Sequence, residues 1–262
     1  MEPSLYYTGL VADLYARLRS SGAPDADPYA RFIAISGEPA LELGCGDGDP
    51  LLDLRARNLD IEGLDSSPDM LDRCRRAAAQ RGLDVVLHQQ PMESMELPRR
   101  YRSIFLAGAT FNLLTDDDTT VRALVHIRDH LLEGGSALIP LFIPSQSPPA
   151  HLGQAREVRD PDGTVLRVSA LSEERDEGDR RQTTVLRYER LDAGKTDVVE
   201  RPWVLHLHTQ AGFRELALAA GLTTRAVIDS EGEPATEDAH EFAFWLSVTP
   251  GSAHSSEEAD QR

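Results

Sequence analysis

The sequence predicts an α/β fold that is built around a parallel sheet, and two observations support this class. Short apolar segments alternate with segments of helical periodicity over residues 37–144, a pattern typical of parallel strands joined by helices. The first apolar segment, residues 40–43, leads directly into a turn with glycine at positions 44, 46 and 48, and a leucine-rich segment follows. A strand, a glycine turn and a helix in this order indicate a ligand at the carboxyl end of the strand.

Two helices are predicted before the first strand. Residues 4–20 carry leucines at helical spacing, and residues 27–35 form a second helical segment. We interpret residues 1–36 as a helical lid over the ligand site.

The second strand, residues 61–65, ends in Asp65. Ligand-binding folds of this kind place a ribose-binding carboxylate about 20 residues beyond the glycine turn, and Asp65 lies near that position. A helix-capping carboxylate is the alternative role for this residue. Ser66 or Ser67, followed by Pro68, predicts a helix start immediately after the strand.

The alternating pattern continues with three more predicted strands, at residues 85–88, 103–107 and 137–143. Pro140 is unfavourable in a central strand, because proline donates no hydrogen bond to a neighbour. Between the last two of these strands, Thr115 is predicted to cap a helix that ends at Gly134 and Gly135.

The character of the sequence changes after Pro144. Residues 145–208 alternate apolar and polar side chains without a helical period, which predicts an antiparallel β insertion with strands near 154–159, 164–171, 182–191 and 197–208. A helix at 210–220 and strands at 223–228 and 241–248 then resume the α/β pattern. Residues 37–144 and 209–248 are therefore predicted to form one core, and the polar residues 249–262 a disordered tail.

Composition narrows the classes of function. The formal net charge of −17 argues against a nucleic-acid substrate, since phosphate backbones require clustered lysine and arginine, and it would attract a small cationic amine. No apolar segment approaches the roughly 20 residues that span a membrane, and the first residues lack the basic start of a signal peptide, so we expect a cytoplasmic protein with no membrane partner. Cys45 and Cys74 have no zinc-like spacing, and no metal is predicted.

The segment 42–48, Glu-Leu-Gly-Cys-Gly-Asp-Gly, resembles the E/D-x-G-x-G-x-G motif of class I S-adenosylmethionine-dependent methyltransferases. It differs from the dinucleotide pattern G-x-G-x-x-G, whose third glycine comes one position later. The resemblance implies a Rossmann-like class I methyltransferase fold with strand order 3-2-1-4-5-7-6 and an antiparallel β insertion after the fifth strand. The insertion and the aromatic amino terminus are similar to those of small-molecule N-methyltransferases that act on glycine or amino sugars. Tyr101 and Arg102 depart from the Phe-Asp pair that opens the fourth strand in many relatives.

The same resemblance implies S-adenosylmethionine as cofactor and S-adenosylhomocysteine as product. Glu42 is predicted to meet the methionine ammonium, Asp65 the ribose, Met92 the adenine ring and Glu93 its exocyclic amine. The full set of predicted cofactor residues is Tyr7, Tyr15, Glu42, Gly44, Cys45, Gly46, Gly48, Asp65, Ser66, Met70, Pro91, Met92, Glu93, Ala107 and Gly108. Core packing is the alternative role for both methionines, and lid packing for the tyrosines.

The acceptor site is predicted to contain Tyr6, Thr110, Phe111, Asn112, Arg187 and Tyr188. His206 and His208 are two positions apart on a predicted strand, so both face the same side, and they are the predicted catalytic bases. A pair of half-exposed strand histidines is the alternative, as are exposed strand positions for Arg187 and Tyr188.

We therefore expect a methyltransferase that acts on a small molecule, with an amine acceptor favoured. The alternatives are an O-methyltransferase, a protein that binds S-adenosylmethionine without catalysis and, by fold analogy, a nicotinamide oxidoreductase. A homodimer formed through the β insertion is a further expectation.

Overall fold

A computed structural model describes residues 6–18 and 25–248 of the chain. Its strands are β1 (Ala40–Leu43), β2 (Ile61–Asp65), β3 (Leu87–Gln89), β4 (Tyr101–Leu106), β5 (Leu131–Phe142), β6 (Ala155–Arg159), β7 (Val165–Asp176), β8 (Arg181–Asp192), β9 (Lys195–His206), β10 (Leu222–Ile228) and β11 (Glu241–Val248). Its helices are α1 (Leu10–Leu18), α2 (Asp27–Ser36), α3 (Leu51–Ala56), α4 (Pro68–Gln80), α5 (Asp117–His130) and α6 (Gln210–Ala219). The predicted tail at 249–262 lies outside the described residues.

The core is a seven-stranded sheet in the order β10-β11-β5-β4-β1-β2-β3. β1 is buried along its whole length and pairs in parallel with both β2 and β4, so that the carboxyl ends of all three strands meet at one edge. β11 is antiparallel to both β5 and β10. With β10 as the sixth core strand and β11 as the seventh, the predicted order 3-2-1-4-5-7-6 is confirmed.

The insertion forms a separate antiparallel sheet in the order β6-β7-β8-β9. An apolar cluster joins this sheet to the amino-terminal segment and consists of Tyr6, Val11, Leu14, Leu18, Leu166 and Tyr188. The amino-terminal segment therefore packs against the insertion as well as against the core.

The helix before β5 differs from its predicted bounds at both ends. Asp116, rather than Thr115, is the N-cap, because its carboxylate accepts a hydrogen bond of 2.7 Å from the backbone N of Thr119. The helix ends at His130 and β5 begins at once, so the two glycines lie inside the strand. A Cβ on Gly135 would lie 2.9 Å from the carbonyl oxygen of Arg102, and glycine therefore permits β4 to approach closely.

The structure also explains two unusual residues of the central strands. Tyr101 is fully buried, and its hydroxyl donates to Glu62 over 2.7 Å, so this residue opens β4 as a core position. Pro140 lies beyond Leu138, the last β5 residue that pairs with β4. Its missing N–H therefore removes no hydrogen bond from that pairing. Within residues 6–18 and 25–248, no helix combines the length and the apolar character that a membrane span requires.

Candidate active site

The glycine turn after β1 forms one wall of a cavity at the carboxyl edge of the sheet. Gly44 and Gly46 have φ values of +68° and +54°, a conformation that favours glycine. A Cβ on Gly44 would lie 2.9 Å from Cγ2 of Thr110, and one on Gly46 would lie 3.3 Å from Cε of Met70. This glycine-turn cavity is lined by Tyr7, Tyr15, Gly44, Gly46, Leu64, Asp65, Ser66, Met70, Gln90, Pro91, Met92, Glu93, Thr110, Leu113 and Leu114.

Asp65 fixes the shape of this cavity with both of its carboxylate oxygens. Oδ2 accepts a hydrogen bond from the backbone N of Gly46, and Oδ1 accepts one from the backbone N of Ser67, each over 2.8 Å. Burial raises the pKa of this carboxyl, while the backbone donors oppose the rise. Asp65 thus links the glycine turn to the start of α4 and also lies in the cavity wall, where it stays the predicted ribose ligand.

Glu42 lies beside the turn as a buried carboxylate without a partner. It is fully buried, and neither carboxylate oxygen has a hydrogen-bond partner among the described residues. Burial raises the pKa of Glu42 well above its usual value, and the charges of Asp65, Asp49 and Asp47 raise it further. A bound cation would relieve both effects, so the surroundings of Glu42 suit a ligand with a positive charge.

Two tyrosines close the cavity from the amino-terminal segment. The rings of Tyr7 and Tyr15 meet edge to face with their centroids 5.3 Å apart. The carbonyl oxygen of Tyr7 accepts a hydrogen bond of 2.6 Å from Oγ of Ser67, and the backbone N of Gly9 donates to Asp69 over 2.6 Å. These bonds attach the segment before α1 to the first turn of α4.

Tyr7 and Tyr15 also line a second cavity, beneath the insertion sheet. Its other walls are Tyr6, Val11, Leu18, Arg156, Val168, Leu186, Tyr188 and Trp203. The hydroxyls of Tyr6 and Tyr188 are 2.9 Å apart and share a hydrogen bond. This tyrosine cavity therefore shares a boundary of two aromatic side chains with the glycine-turn cavity.

The comparisons with known proteins point to one activity. Residues 40–135 match the family described as "Methyltransferase domain". A dTDP-3-amino-3,6-dideoxy-α-D-glucopyranose N,N-dimethyltransferase from Streptomyces fradiae is 28% identical over 180 residues, which cover 66% of this chain and 69% of the relative. A cypemycin N-terminal methyltransferase from a Streptomyces species is 25% identical over 248 residues, which cover 94% and 98%.

The chain is an S-adenosylmethionine-dependent methyltransferase.

A solved structure supports the fold of this methyltransferase. It is that of an amino pentose methyltransferase of calicheamicin biosynthesis from Micromonospora echinaspora with S-adenosylmethionine bound, and it superimposes with a TM-score of 0.68 at 22% identity over 94% of this chain and 98% of that chain. The methyl donor is S-adenosylmethionine. The residues present fit this cofactor. Asp65 lies in the cavity wall as an acceptor for ribose hydroxyls, and the buried carboxylate of Glu42, which lies outside the walls of both cavities but two residues before Gly44, lacks a cation that the methionine ammonium would supply.

The structure brings most of the predicted cofactor residues of the methyltransferase to the glycine-turn cavity. They are Tyr7, Tyr15, Gly44, Gly46, Asp65, Ser66, Met70, Pro91, Met92 and Glu93, together with Thr110 from the predicted acceptor set. Their contacts with the cofactor stay predictions. Gln90, Leu64, Leu113 and Leu114 were missed, although the position of Gln90 directly after a short strand is a signal that points to this edge of the sheet.

At two predicted cofactor residues in the glycine motif, Cys45 and Gly48, the space on the side-chain side of the backbone is occupied by the packed core. The sulfur of Cys45 is buried in the core against the backbone of Gly63, so this residue can offer the cofactor its backbone alone. A Cβ on Gly48 would lie 2.9 Å from atoms of both Leu52 and Cys74. Glycine at 48 therefore permits α3 and α4 to pack on the turn.

Residues at the end of β4 also depart from their predicted places. Ala107 and Gly108 lie outside the walls of both cavities, and the backbone N of Gly108 donates to the hydroxyl of Tyr29 over 3.3 Å. Phe111 is buried in the core and packs edge to face on Phe213. Asn112 is buried as well, and its side-chain amide hydrogen-bonds the backbone of Phe142 and His206.

The two insertion residues of the predicted acceptor set point in different directions. Tyr188 lines the tyrosine cavity, whereas Arg187 lies outside both cavity walls and pairs with Glu189 and Glu200 at 3.5 Å. Neighbouring residues on a strand face opposite sides, which accounts for the difference. Arg187 is therefore part of a surface ion-pair group, which agrees with the alternative that it is an exposed strand residue.

The predicted catalytic histidines lie outside the walls of both cavities of the methyltransferase. His206 Nε2 lies 2.9 Å from Oδ1 of Asp117, and the two imidazole rings meet edge to face at 4.6 Å. The two rings do face the same side, but both histidines are buried. Burial is the larger cause, and the neighbouring His206 the second, that lowers the pKa of His208 to about 3. The walls of these two cavities thus give no support to their assignment as bases, which stays a prediction.

Proposed function

We propose that this methyltransferase methylates the amine nitrogen of a small molecule that binds in the tyrosine cavity. The observation that carries the proposal is the pair of cavities that share Tyr7 and Tyr15. One cavity contains the glycine turn and Asp65, and it suits the donor. The other is aromatic and separate from the glycine turn, so it suits an acceptor that meets the donor at the two tyrosines.

The walls of the tyrosine cavity favour a neutral amine. S-adenosylmethionine supplies a methyl group on a sulfonium, and a nitrogen can accept it only with a free lone pair. Burial raises the pKa of Tyr6, Tyr7 and Tyr188, so these hydroxyls stay uncharged. No acidic residue occurs among the described residues that line this cavity, whereas Arg156 is a cation. A desolvated, non-acidic site lowers the pKa of a bound ammonium, so the amine gives its proton to solvent and its free lone pair can attack the sulfonium methyl without a dedicated base.

The named substrates of the two relatives also support an amine. One relative is named for a dTDP-linked amino sugar and the other for the amino terminus of a peptide, and both names describe methylation of nitrogen. Arg156 favours the first kind of acceptor, since a diphosphate would meet the one cation in the described walls of the tyrosine cavity. We therefore propose a nucleotide-linked amino sugar as the acceptor class.

A matched pair of acceptors tests this function. The purified methyltransferase is incubated with S-adenosylmethionine and dTDP-3-amino-3,6-dideoxyglucose, or with the same nucleotide sugar carrying a hydroxyl in place of the amine. We expect methylated product, detected by mass spectrometry, from the amine alone. Equal methylation of the hydroxyl compound would favour the O-methyltransferase alternative. Cofactor binding without turnover on a broad panel of amines and alcohols would favour the non-catalytic alternative.

Arg156→Ala tests the acceptor class within the same assay. We expect a higher KM for the nucleotide sugar, with an unchanged dissociation constant for S-adenosylhomocysteine. Arg167→Ala is the control, because Arg167 lies on the same sheet, outside the walls of both cavities, and pairs with Glu157. If Arg156→Ala and Arg167→Ala have the same KM for the nucleotide sugar, the proposed contact between Arg156 and the diphosphate is wrong. The homodimer through β6–β9 stays a prediction, which light scattering of the purified chain tests.

A further inference from the structure

Three side chains converge where the insertion returns to the core, and none of them lines the glycine-turn cavity or the tyrosine cavity. Asp117 is the first residue of α5, His206 is the last residue of β9, and His208 directly precedes the N-cap of α6. One potential donor atom from each of the three lies within 4.8 Å of the others. Three separate elements thus present two imidazoles and a carboxylate to one point.

Three of the four imidazole nitrogens at this point lack partners. Nδ1 of His206 and both ring nitrogens of His208 have no hydrogen-bond partner among the described residues. The two histidines are 2% and 0% exposed, so bulk water does not supply the missing bonds. Folded proteins rarely leave buried polar groups unsatisfied, and each such group calls for a bound partner.

We propose that Asp117, His206 and His208 form a binding site for a divalent transition metal, with Zn²⁺ as the best match. Imidazole nitrogen and carboxylate oxygen are common zinc ligands, and bonds of about 2.1 Å place tetrahedral ligands about 3.4 Å apart. His206 Nε2 and Asp117 Oδ1 lie 2.9 Å apart, so these two atoms have to separate by about half an ångström to admit the ion. A donor nitrogen of His208 lies within 4.8 Å of the other two ligand atoms and has to come closer to bind the same ion.

The surroundings leave room for the ion to enter and hold the ligands in place. The side chain of Asp117 is 42% exposed, so the site opens to solvent on that side and a water can complete the coordination. Arg180 pairs with Oδ2 of Asp117 and leaves Oδ1 directed at the histidine. The amide of Asn112 donates to the carbonyl oxygen of His206 over 2.7 Å. Such outer contacts orient the ligands of metal sites.

The proposed site predicts a structural role for the ion. Because neither histidine lines the glycine-turn cavity or the tyrosine cavity, we expect the ion to join β9 and the loop before α6 to the start of α5 without contact to the reacting groups. No sequence spacing indicates this site, since Asp117 and His206 are 89 positions apart. The expectation of no metal rested on cysteine spacing alone.

Competition with a chromogenic chelator tests the site. Protein without a histidine tag is stripped with a chelator, and Zn²⁺ is then titrated. We expect one tightly bound equivalent per chain. His206→Ala, His208→Ala and Asp117→Asn should each lower the affinity by about 100-fold or more, because even substitutions in the outer shell cost 10- to 100-fold. His151→Ala is the control, since His151 is an exposed residue of the insertion.

Melting curves keep the test valid if a variant folds poorly. The melting temperature of each stripped variant is measured first, with and without Zn²⁺. We expect Zn²⁺ to raise the melting temperature of the wild type and of His151→Ala, and to leave that of His208→Ala unchanged. The proposal is overturned if stripped wild type binds no equivalent of Zn²⁺, and an ordered water would then be the partner of the imidazoles. It is also overturned if the histidine variants bind Zn²⁺ with the affinity of the wild type.

Discussion

The unpaired carboxylate of Glu42 allows a residue-scale prediction with two opposite effects. Glu42→Gln keeps the shape of the side chain and removes its charge. At a pH above the raised pKa of Glu42, we expect the free variant to melt at a higher temperature than the wild type, because a buried charge without a partner is unfavourable. We expect the affinity for S-adenosylhomocysteine to fall by about tenfold or more, since a hydrogen bond to a charged group contributes about 1.5–3 kcal/mol. Calorimetric melting and titration measure the two effects.

The same charge gives this prediction a pH dependence. Burial raises the pKa of Glu42 in the folded protein above its value in the unfolded chain. Its destabilising effect is therefore absent at low pH and appears as the pH rises through the raised pKa, while the affinity for S-adenosylhomocysteine increases over the same range. In Glu42→Gln both changes should disappear. A variant whose affinity keeps the pH profile of the wild type would contradict the contact with the ammonium.

Gly46 allows a second residue-scale prediction with a matched control. Gly46→Val should abolish S-adenosylhomocysteine binding, because the side chain would extend from the cavity wall toward Met70. Gly82 has a similar φ of +64° with no atom within 4 Å of an added Cβ, so Gly82→Val carries the same backbone strain of about 1–2 kcal/mol outside the site. Titration of both variants separates strain from obstruction. Normal binding by Gly46→Val would remove the cavity assignment.

At the scale of elements, the hydrogen bond between Tyr6 and Tyr188 joins the amino-terminal segment to β8. Tyr6→Phe and Tyr188→Phe each leave one buried hydroxyl without its partner, which costs about 1–3 kcal/mol. The double variant removes both hydroxyls and leaves neither unpaired, so we expect it to be more stable than either single variant. Urea unfolding of the wild type, the two single variants and the double variant gives the four free energies of unfolding for this double-mutant cycle. Additive losses would mean that the two hydroxyls act independently.

The elements themselves were largely predictable, since local signals define them. Ala40–Leu43, Ile61–Asp65 and Glu241–Val248 have the predicted bounds, and Ser67 caps α4 as one of the two serines proposed. The errors arose where tertiary contacts outweigh local preference. Gly134 and Gly135 signal a helix end, but the close approach of β4 places them inside β5.

The site was less predictable than the fold, because contact with a cavity depends on the direction of each side chain. Thr110 and Phe111 are neighbours in one short turn, yet Thr110 lines the cavity and Phe111 packs in the core. β9 ends at His206 and His208 lies in the loop beyond it, so the prediction of one strand for both residues was wrong. The predicted strand nevertheless put their rings on one side, and the rings do meet at 4.6 Å. This prediction gave no information about Asp117, whose contact with His206 depends on the packing of α5.

At the scale of the whole molecule, cofactor binding should stabilise the fold by mass action. A ligand at 100 times its dissociation constant adds about 2.7 kcal/mol. For a chain of this size that corresponds to a rise in melting temperature of roughly 5–10 °C. We expect this rise with S-adenosylhomocysteine and none with NAD. A rise with NAD and none with S-adenosylhomocysteine would instead favour the nicotinamide oxidoreductase.

The place of β11 between β5 and β10 affects how the chain assembles during translation. β10 leaves the ribosome before β11, yet β11 is its neighbour in the sheet. Until β11 emerges, a nascent chain holds one free edge on β5 and another on β10, and free strand edges invite pairing with other chains. A ribosome that stalls within this interval would release an aggregation-prone fragment, whereas synthesis through Val248 closes both edges with a single strand.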